Sequence, residues 1–264
     1  LLLVALGVLE AAGEIGRGEA RLSREHHRRL DEGAVNAPSP TVSTQRARHL
    51  DQRQGVVGIP QADLVRLPQA LDHPVANLDG GVLDSLAVAP DGTVYVSDSG
   101  AGAIHRLDPG AADLEPMVLP GTFLSTQGLE VSADGETLYA ADYGRGVAAV
   151  DTETGEVTTM EFDGPCLLGI DGLERHGNDL IAIQNGIEPP RVVRIELGAD
   201  GRSIASVEIL EKAHHLYREP TLGTVVDDDL FYVAASQWRS FDENGRLLVD
   251  QLVEPTILRL PLTD

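Results

Sequence analysis

The chain is predicted to be an all-β propeller built from four-stranded antiparallel blades, and three observations predict it. One pattern recurs four times, beginning at Asp84, Gln127, Asp171 and Glu219, which stand 43, 44 and 48 residues apart. Each copy alternates short apolar strands with Gly-containing turns, and no copy carries helical periodicity or a heptad. Repeats of that length mark stacked supersecondary units, none of which can bury its apolar faces alone.

The elements follow in order within each copy. A short apolar strand (86–89, 129–132) runs into Pro-Asp-Gly at 90–92 or Ala-Asp-Gly at 133–135, where Asp-Gly supplies the positive φ a tight hairpin requires. A strongly alternating strand comes next, at 93–97, 137–141, 180–183 and 230–234. A Gly-rich loop leads to a third strand such as 104–107 or 192–197, and a last turn to a fourth such as 156–162. Four antiparallel strands per copy make a blade. A β-sandwich would also offer regular strands, but sandwiches do not repeat with this fidelity. The fourth copy differs, because residues 239–254 intervene before its third strand at 256–262. No later sequence supplies its outermost strand, so 256–262 is expected to be an exposed edge or one covered irregularly. The best local candidate to cover it, 55–67, contains Pro60 and would make a poor ladder.

Composition divides the chain. Of 20 basic and 42 acidic residues, nine of each fall in 1–76, so residues 77–264 carry 11 against 33 and the whole net charge of −22. All ten aromatic residues also lie beyond position 94. Residues 1–76 therefore read as an irregular or partly helical N-terminal extension and 77–264 as the propeller. A phosphate-binding surface needs a basic face, so the charge argues against nucleic acid and anionic membranes. The opening LLLVALGVL is too short to span a bilayer and lacks a basic n-region, which favours a cytoplasmic over an exported chain without fixing the compartment. Starting at Leu1, the chain reads as a fragment. The single Cys166 permits no internal disulfide and reads as a small buried hydrophobe.

Blade geometry selects the candidate site. The innermost strands begin at one mouth of the central channel, which brings Asp84, Gln127, Asp171 and Glu219 toward one axis. Loops between second and third strands open at the same mouth and add Asp98, Asp142, Asn185 and Gln237, with Tyr143 and Trp238 beside them as pocket walls or as inter-blade packing. Two carboxylates about 5 Å apart repel by roughly 3 kcal/mol at an effective dielectric near 20. Such a ring must hold a cation, hold protons or stay wet. Hard oxygen donors suit Ca²⁺ or Mg²⁺, and no Cys/His constellation points to zinc. His214 and His215 lie in the loop feeding Glu219, where one imidazole can serve as general base or both can simply face solvent.

The stretches YAADYGRG (139–146), LLGIDGL (167–173), QNG (184–186) and EPTLG (219–223) resemble gluconolactonase/regucalcin-type propellers, above all a bacterial branch of them. The resemblance covers about residues 80–264. It implies six blades, a divalent cation (commonly calcium) in the channel, and hydrolysis of a lactone by a metal-bound water. It places the metal-binding Asp, which also acts as base or positions water, at Asp171. The family's inner-strand Asn falls at Asp84 and again at Gln127, and its ligand Glu from the first blade has no counterpart in 1–76. Metal ligation by Asp84, Gln127, Asp171 and Glu219 thus stands beside a polar channel filled with water. A hydrolase of lactones or related esters acting on a small-molecule substrate stands beside a non-catalytic binding or sensor module. Two more blades need more than 76 residues, so an open or distorted arc is expected.

Overall fold

In the computed structural model the described residues are 56–57, 81–111, 113–242 and 246–263. They contain strands and two short 3-10 turns, at Trp238–Ser240 and Val249–Gln251. Strand β1 (Val56–Val57) is the first described element. The first blade follows as β2 (Leu83–Val88), β3 (Val94–Asp98), β4 (Ala103–Leu107) and β5 (Glu115–Val118). The second contains β6 (Thr126–Val131), β7 (Thr137–Asp142), β8 (Gly146–Asp151) and β9 (Val157–Thr159). The third contains β10 (Ile170–His176), β11 (Asp179–Gln184), β12 (Arg191–Leu197) and β13 (Ile204–Lys212). The fourth is β14 (Gly223–Val226), β15 (Asp229–Val233), β16 (Ile257–Pro261) and, at its edge, β1.

That last pairing corrects the expectation of an exposed or irregularly covered edge. Val56 pairs with Leu258 and Val57 with Ile257, antiparallel, so residues within the 55–67 candidate do latch onto the last blade. The ladder is short, two residue pairs, and Pro60 lies outside the described residues, as does the rest of the N-terminal extension. The physical reason is the one that made the edge suspect: a row of unpaired N–H and C=O groups takes up any strand within reach.

Blades stack through apolar side chains on both faces, which explains why the second strands read as near-continuous apolar runs. In β7, Leu138 and Ala140 face the core shared with the first blade, while Tyr139 and Ala141 face the core shared with the third. Ile181 and Ile183 of β11 pack toward the fourth blade against Leu230 and Tyr232. The alternation of a strand is preserved, but both of its faces are dry. Inner strand β2 packs on β6, β6 on β10 and β10 on β14, and among the described residues no comparable packing returns from β14 to β2. The described blades form an arc. Hairpin turns need the glycine alone in the left-handed region, at Gly92 (φ +92°) and Gly135 (φ +81°). Their aspartates act differently from the expectation. Asp91 Oδ1 accepts the Thr93 N–H at 2.9 Å and Asp134 Oδ1 accepts that of Glu136 at 3.1 Å.

The inner strands approach one another so closely that two positions require glycine for space. A Cβ on Gly128 would lie 2.6 Å from Leu173 N and 2.8 Å from Asp171 O, and one on Gly172 would lie 2.6 Å from Thr221 O. Backbone atoms cannot yield as side chains do. Gly128→Ala should therefore push β6 from β10 and cost about 1–3 kcal/mol as an overpacked contact. Chemical denaturation would read this as a lower midpoint, and an unchanged midpoint would show that the inner strands are looser than they stand.

Candidate functional site

Asp171, the second residue of β10, lies at the bulge where the β10–β11 register shifts between Ile170 and Gly172. Asn185, just past β11, donates from Nδ2 to Asp171 Oδ2 at 2.5 Å, and its Oδ1 accepts the Tyr143 hydroxyl at 2.8 Å. Tyr143 follows β7, and its ring lies against Gly186, where a Cβ would come within 2.6 Å of the phenol. A phenol, an amide and a carboxyl from two blades thus form one directed chain. Burial pushes the Asp171 carboxyl up to about 7, and the neighbouring charges of Asp84 and Glu219 add to the rise while the Asn185 amide opposes it. Burial, together with the same Asp171 and Glu219 charges, raises the Tyr143 phenol.

Asp84, in β2, is only 8% exposed, and its Oδ2 is buried with no hydrogen-bond partner among the described residues. Burial raises its carboxyl too. Glu219 lies within electrostatic reach of Asp171, but it is not the start of an inner strand as expected. Gly223 of β14 faces Tyr232 as Leu173 of β10 faces Ala182, which puts Thr221 in the place of Asp171. Glu219 precedes it by one bend, at a left-handed φ of +72°, with Ser236 Oγ donating to its Oε2 at 3.3 Å. The 48-residue spacing hid this shift, because a local insertion in a loop moves the phase without changing the motif. Deeper along the same strands, Glu174 is held well above the usual carboxylate range by burial and by the charge of Glu130, itself raised by burial.

Other expected site residues are employed elsewhere. Gln127 donates from Nε2 to Ser125 Oγ at 2.8 Å, within its own turn. Asp98 and Asp142 are buried, and their oxygens accept backbone amides. Asp98 Oδ1 takes Val82 N–H at 3.0 Å and Ala101 N–H at 2.9 Å. Asp142 takes Leu124 N–H at 3.0 Å and Gly144 N–H at 3.1 Å. They tie each second strand to the loop that feeds its own inner strand. In the third blade Gln184 holds that position with reversed polarity, donating to the carbonyls of Cys166 (3.0 Å) and Leu168 (2.7 Å). Gln237 exchanges two bonds of 2.9 Å with the Val253 backbone and so clamps the insertion that carries Trp238. The His214 ring is tilted against that of His215, with centroids 4.5 Å apart, and lies 5.6 Å from the Tyr217 ring. Cys166 is exposed, which corrects its reading as a buried hydrophobe, because Leu167 is the residue of that loop that turns inward. A cavity of about 340 Å³ lies between the first two blades at their hairpin end, lined by Asp91, Arg106 and Asp134, not at this site.

Among the described residues no three His, Cys, Asp or Glu side chains are gathered closely enough to hold a metal ion. The donors at the mouth are right in kind, being hard oxygens, but Glu219 hangs from a displaced bend and Thr221 stands where a carboxylate was expected. As placed, the set does not fit a bound divalent cation.

A protein whose antiparallel four-stranded sheets pack side by side through their inner strands is a β-propeller. No family model matches the chain, and none of the curated proteins matches it. Solved structures similar to it include virginiamycin B lyase from Staphylococcus aureus, at 16% identity and a TM-score of 0.49 over 70% of this chain and 53% of that one. Regucalcin from Agrobacterium tumefaciens, described as a calcium-binding protein, is similar at 16% identity and a TM-score of 0.48, covering 69% of this chain and 62% of that one. A luciferin-regenerating enzyme is similar at 16% identity and 0.48, over 70% and 62%. The chain thus spans little more than half of the lyase. No helix among the described residues is long and apolar enough to cross a membrane.

Proposed function

We propose that the chain hydrolyses a lactone or a related carboxylic ester at this mouth, with Asp171 as the general base. One observation carries the reading: a carboxyl lifted to about 7 by burial and clamped by Asn185, which Tyr143 orients in turn. A carboxyl that exchanges its proton near neutrality suits a base that must later return it. Asn185 occupies Oδ2, so the other oxygen takes the proton as the water oxygen bonds to the ester carbonyl carbon. When the acyl–oxygen bond breaks, the departing alkoxide receives that proton, and acid and alcohol leave with Asp171 restored. No step runs through a metal ion.

The test is a pH–rate profile on a simple γ-lactone. Activity as kcat/KM should rise across an apparent pKa near 7, with the deprotonated form active. A profile that rises only near 4 would assign the base to another group. Asp84 Oδ2, buried and without a hydrogen-bond partner among the described residues, favours one second reading, a non-catalytic module that takes a ligand's donor group at that oxygen. In that case a γ-lactam, which offers an N–H donor, would stabilise the fold by mass action, about 2.7 kcal/mol at a hundredfold excess over Kd, and no lactone would turn over.

A further inference from the structure

The buried staples at the mouth leave something behind. Val82, Leu124 and Leu168 are the residues whose backbones Asp98, Asp142 and Gln184 hold in three successive blades. Their side chains nevertheless stay in water, 55%, 61% and 43% exposed. Each stands two or three residues before the inner-strand residue of its blade, Asp84, Gln127 or Asp171, and therefore at the same mouth. Leu124 lies over Gly144, next to Tyr143, where a Cβ would meet its Cδ1 at 2.7 Å. Leu168 adjoins Gly169, whose N–H bonds to Tyr143 O and whose Cα abuts Gly186 beside Asn185. On the fourth blade Trp238 (50% exposed), its ring tilted against Phe241 with centroids 6.0 Å apart, comes two residues after Ser236, whose N–H bonds to Glu219 O.

Solvated leucines are ordinary when scattered. These recur at one position per blade, on backbone pinned by buried polar groups, around a floor of carboxyl, amide and phenol. A rigid apolar rim over a polar floor is the form of a small-molecule site, where a few placed polar groups orient the ligand and apolar walls hold its body. Resting on the hydrolase reading above, we propose that this rim receives a hydrocarbon chain. The substrate class is then a lactone or ester bearing an alkyl chain, rather than a polyhydroxylated one, with Leu124, Leu168 and Trp238 as its specificity-determining residues.

Trp238 is the single tryptophan of the chain, so its emission reports the rim directly. The full chain would be titrated with γ-lactams, which present a carbonyl but resist hydrolysis, unsubstituted or carrying a hexyl chain. The hexyl lactam should shift the emission to the blue and bind on the order of 30-fold more tightly, a partial share of the transfer of six methylenes. Leu124→Ser and Leu168→Ser should each remove most of that difference. Equal binding of both lactams would overturn the proposal, as would a tryptophan already shielded by self-association and indifferent to lactam. Hydrolysis measured in parallel separates the two readings. Turnover indifferent to chain length, or faster on a sugar lactone, sinks the rim and leaves the hydrolase. Chain-dependent lactam binding with no turnover of any lactone sinks the hydrolase and leaves the rim.

Discussion

Asp171→Asn should abolish lactone hydrolysis and at the same time stabilise the protein above neutral pH. Catalysis falls because the amide cannot take a proton from water, and loss of a positioned general base typically costs on the order of 10²–10⁴-fold. The stability gain follows from linkage. The folded carboxyl titrates near 7 and the unfolded one near 4, so between those values the folded state binds more protons than the unfolded. Its contribution is therefore greatest below the unfolded value and is lost as pH rises through about 7. Only at about pH 3, below the unfolded value, is the carboxyl neutral in both the folded and the unfolded wild type, and there the midpoints of wild type and variant should nearly coincide. At pH 8 the wild type holds a buried charge near Asp84 and Glu219, and the variant should be more stable by about 2 kcal/mol, or roughly 4–8 °C. Glu130 and Glu174 are shifted in the same direction in both proteins, so the difference isolates Asp171. Thermal scans at the two pH values check it. A variant less stable at pH 8 would mean that Asp171 is held by a positive partner, a bound cation included.

Asp142→Ala should be the more damaging change to the fold and the less damaging to chemistry. Its carboxylate is buried and accepts the amides of Leu124 and Gly144, which truncation would leave unsatisfied. A buried charged acceptor with several donors is worth about 3 kcal/mol to remove, which lowers the midpoint by about 6–12 °C. Asp142→Asn should recover little, because both oxygens face donors and an amide NH₂ would oppose one of them. Well below its midpoint the Ala variant should keep kcat within a few-fold of wild type. Complete loss of turnover in a folded variant would return Asp142 to the pocket, where its position alone had put it.

Much of this architecture was legible in the residues themselves. Blade number, strand order and the second strands follow from a repeat of Asp-Gly turns and alternating apolar runs, because each of those features is a local requirement of backbone geometry. Asp171 and Asn185 were legible as mouth residues for the same reason. What local pattern does not carry is which partner a polar atom finds. Asp98 and Asp142 look like site residues, yet their oxygens, like the amide of Gln184 at the same position of the third blade, are consumed by the loops beside them. Gln127 likewise spends its amide NH₂ on Ser125. The phase of the fourth blade is also tertiary, since only the β14–β15 ladder shows Thr221 in the place given to Glu219.

Sequence by itself determined the repeating blades and the equivalent inner-strand positions of Asp84, Gln127 and Asp171, which depend on spacing and chirality along the chain. Only the tertiary structure decided that Asp171 is the carboxyl held near neutrality, because that depends on burial and on charges brought from other blades. It alone decided that Val56 and Val57 close the edge of the last blade, a contact some two hundred residues apart that depends on unpaired backbone groups and not on any motif.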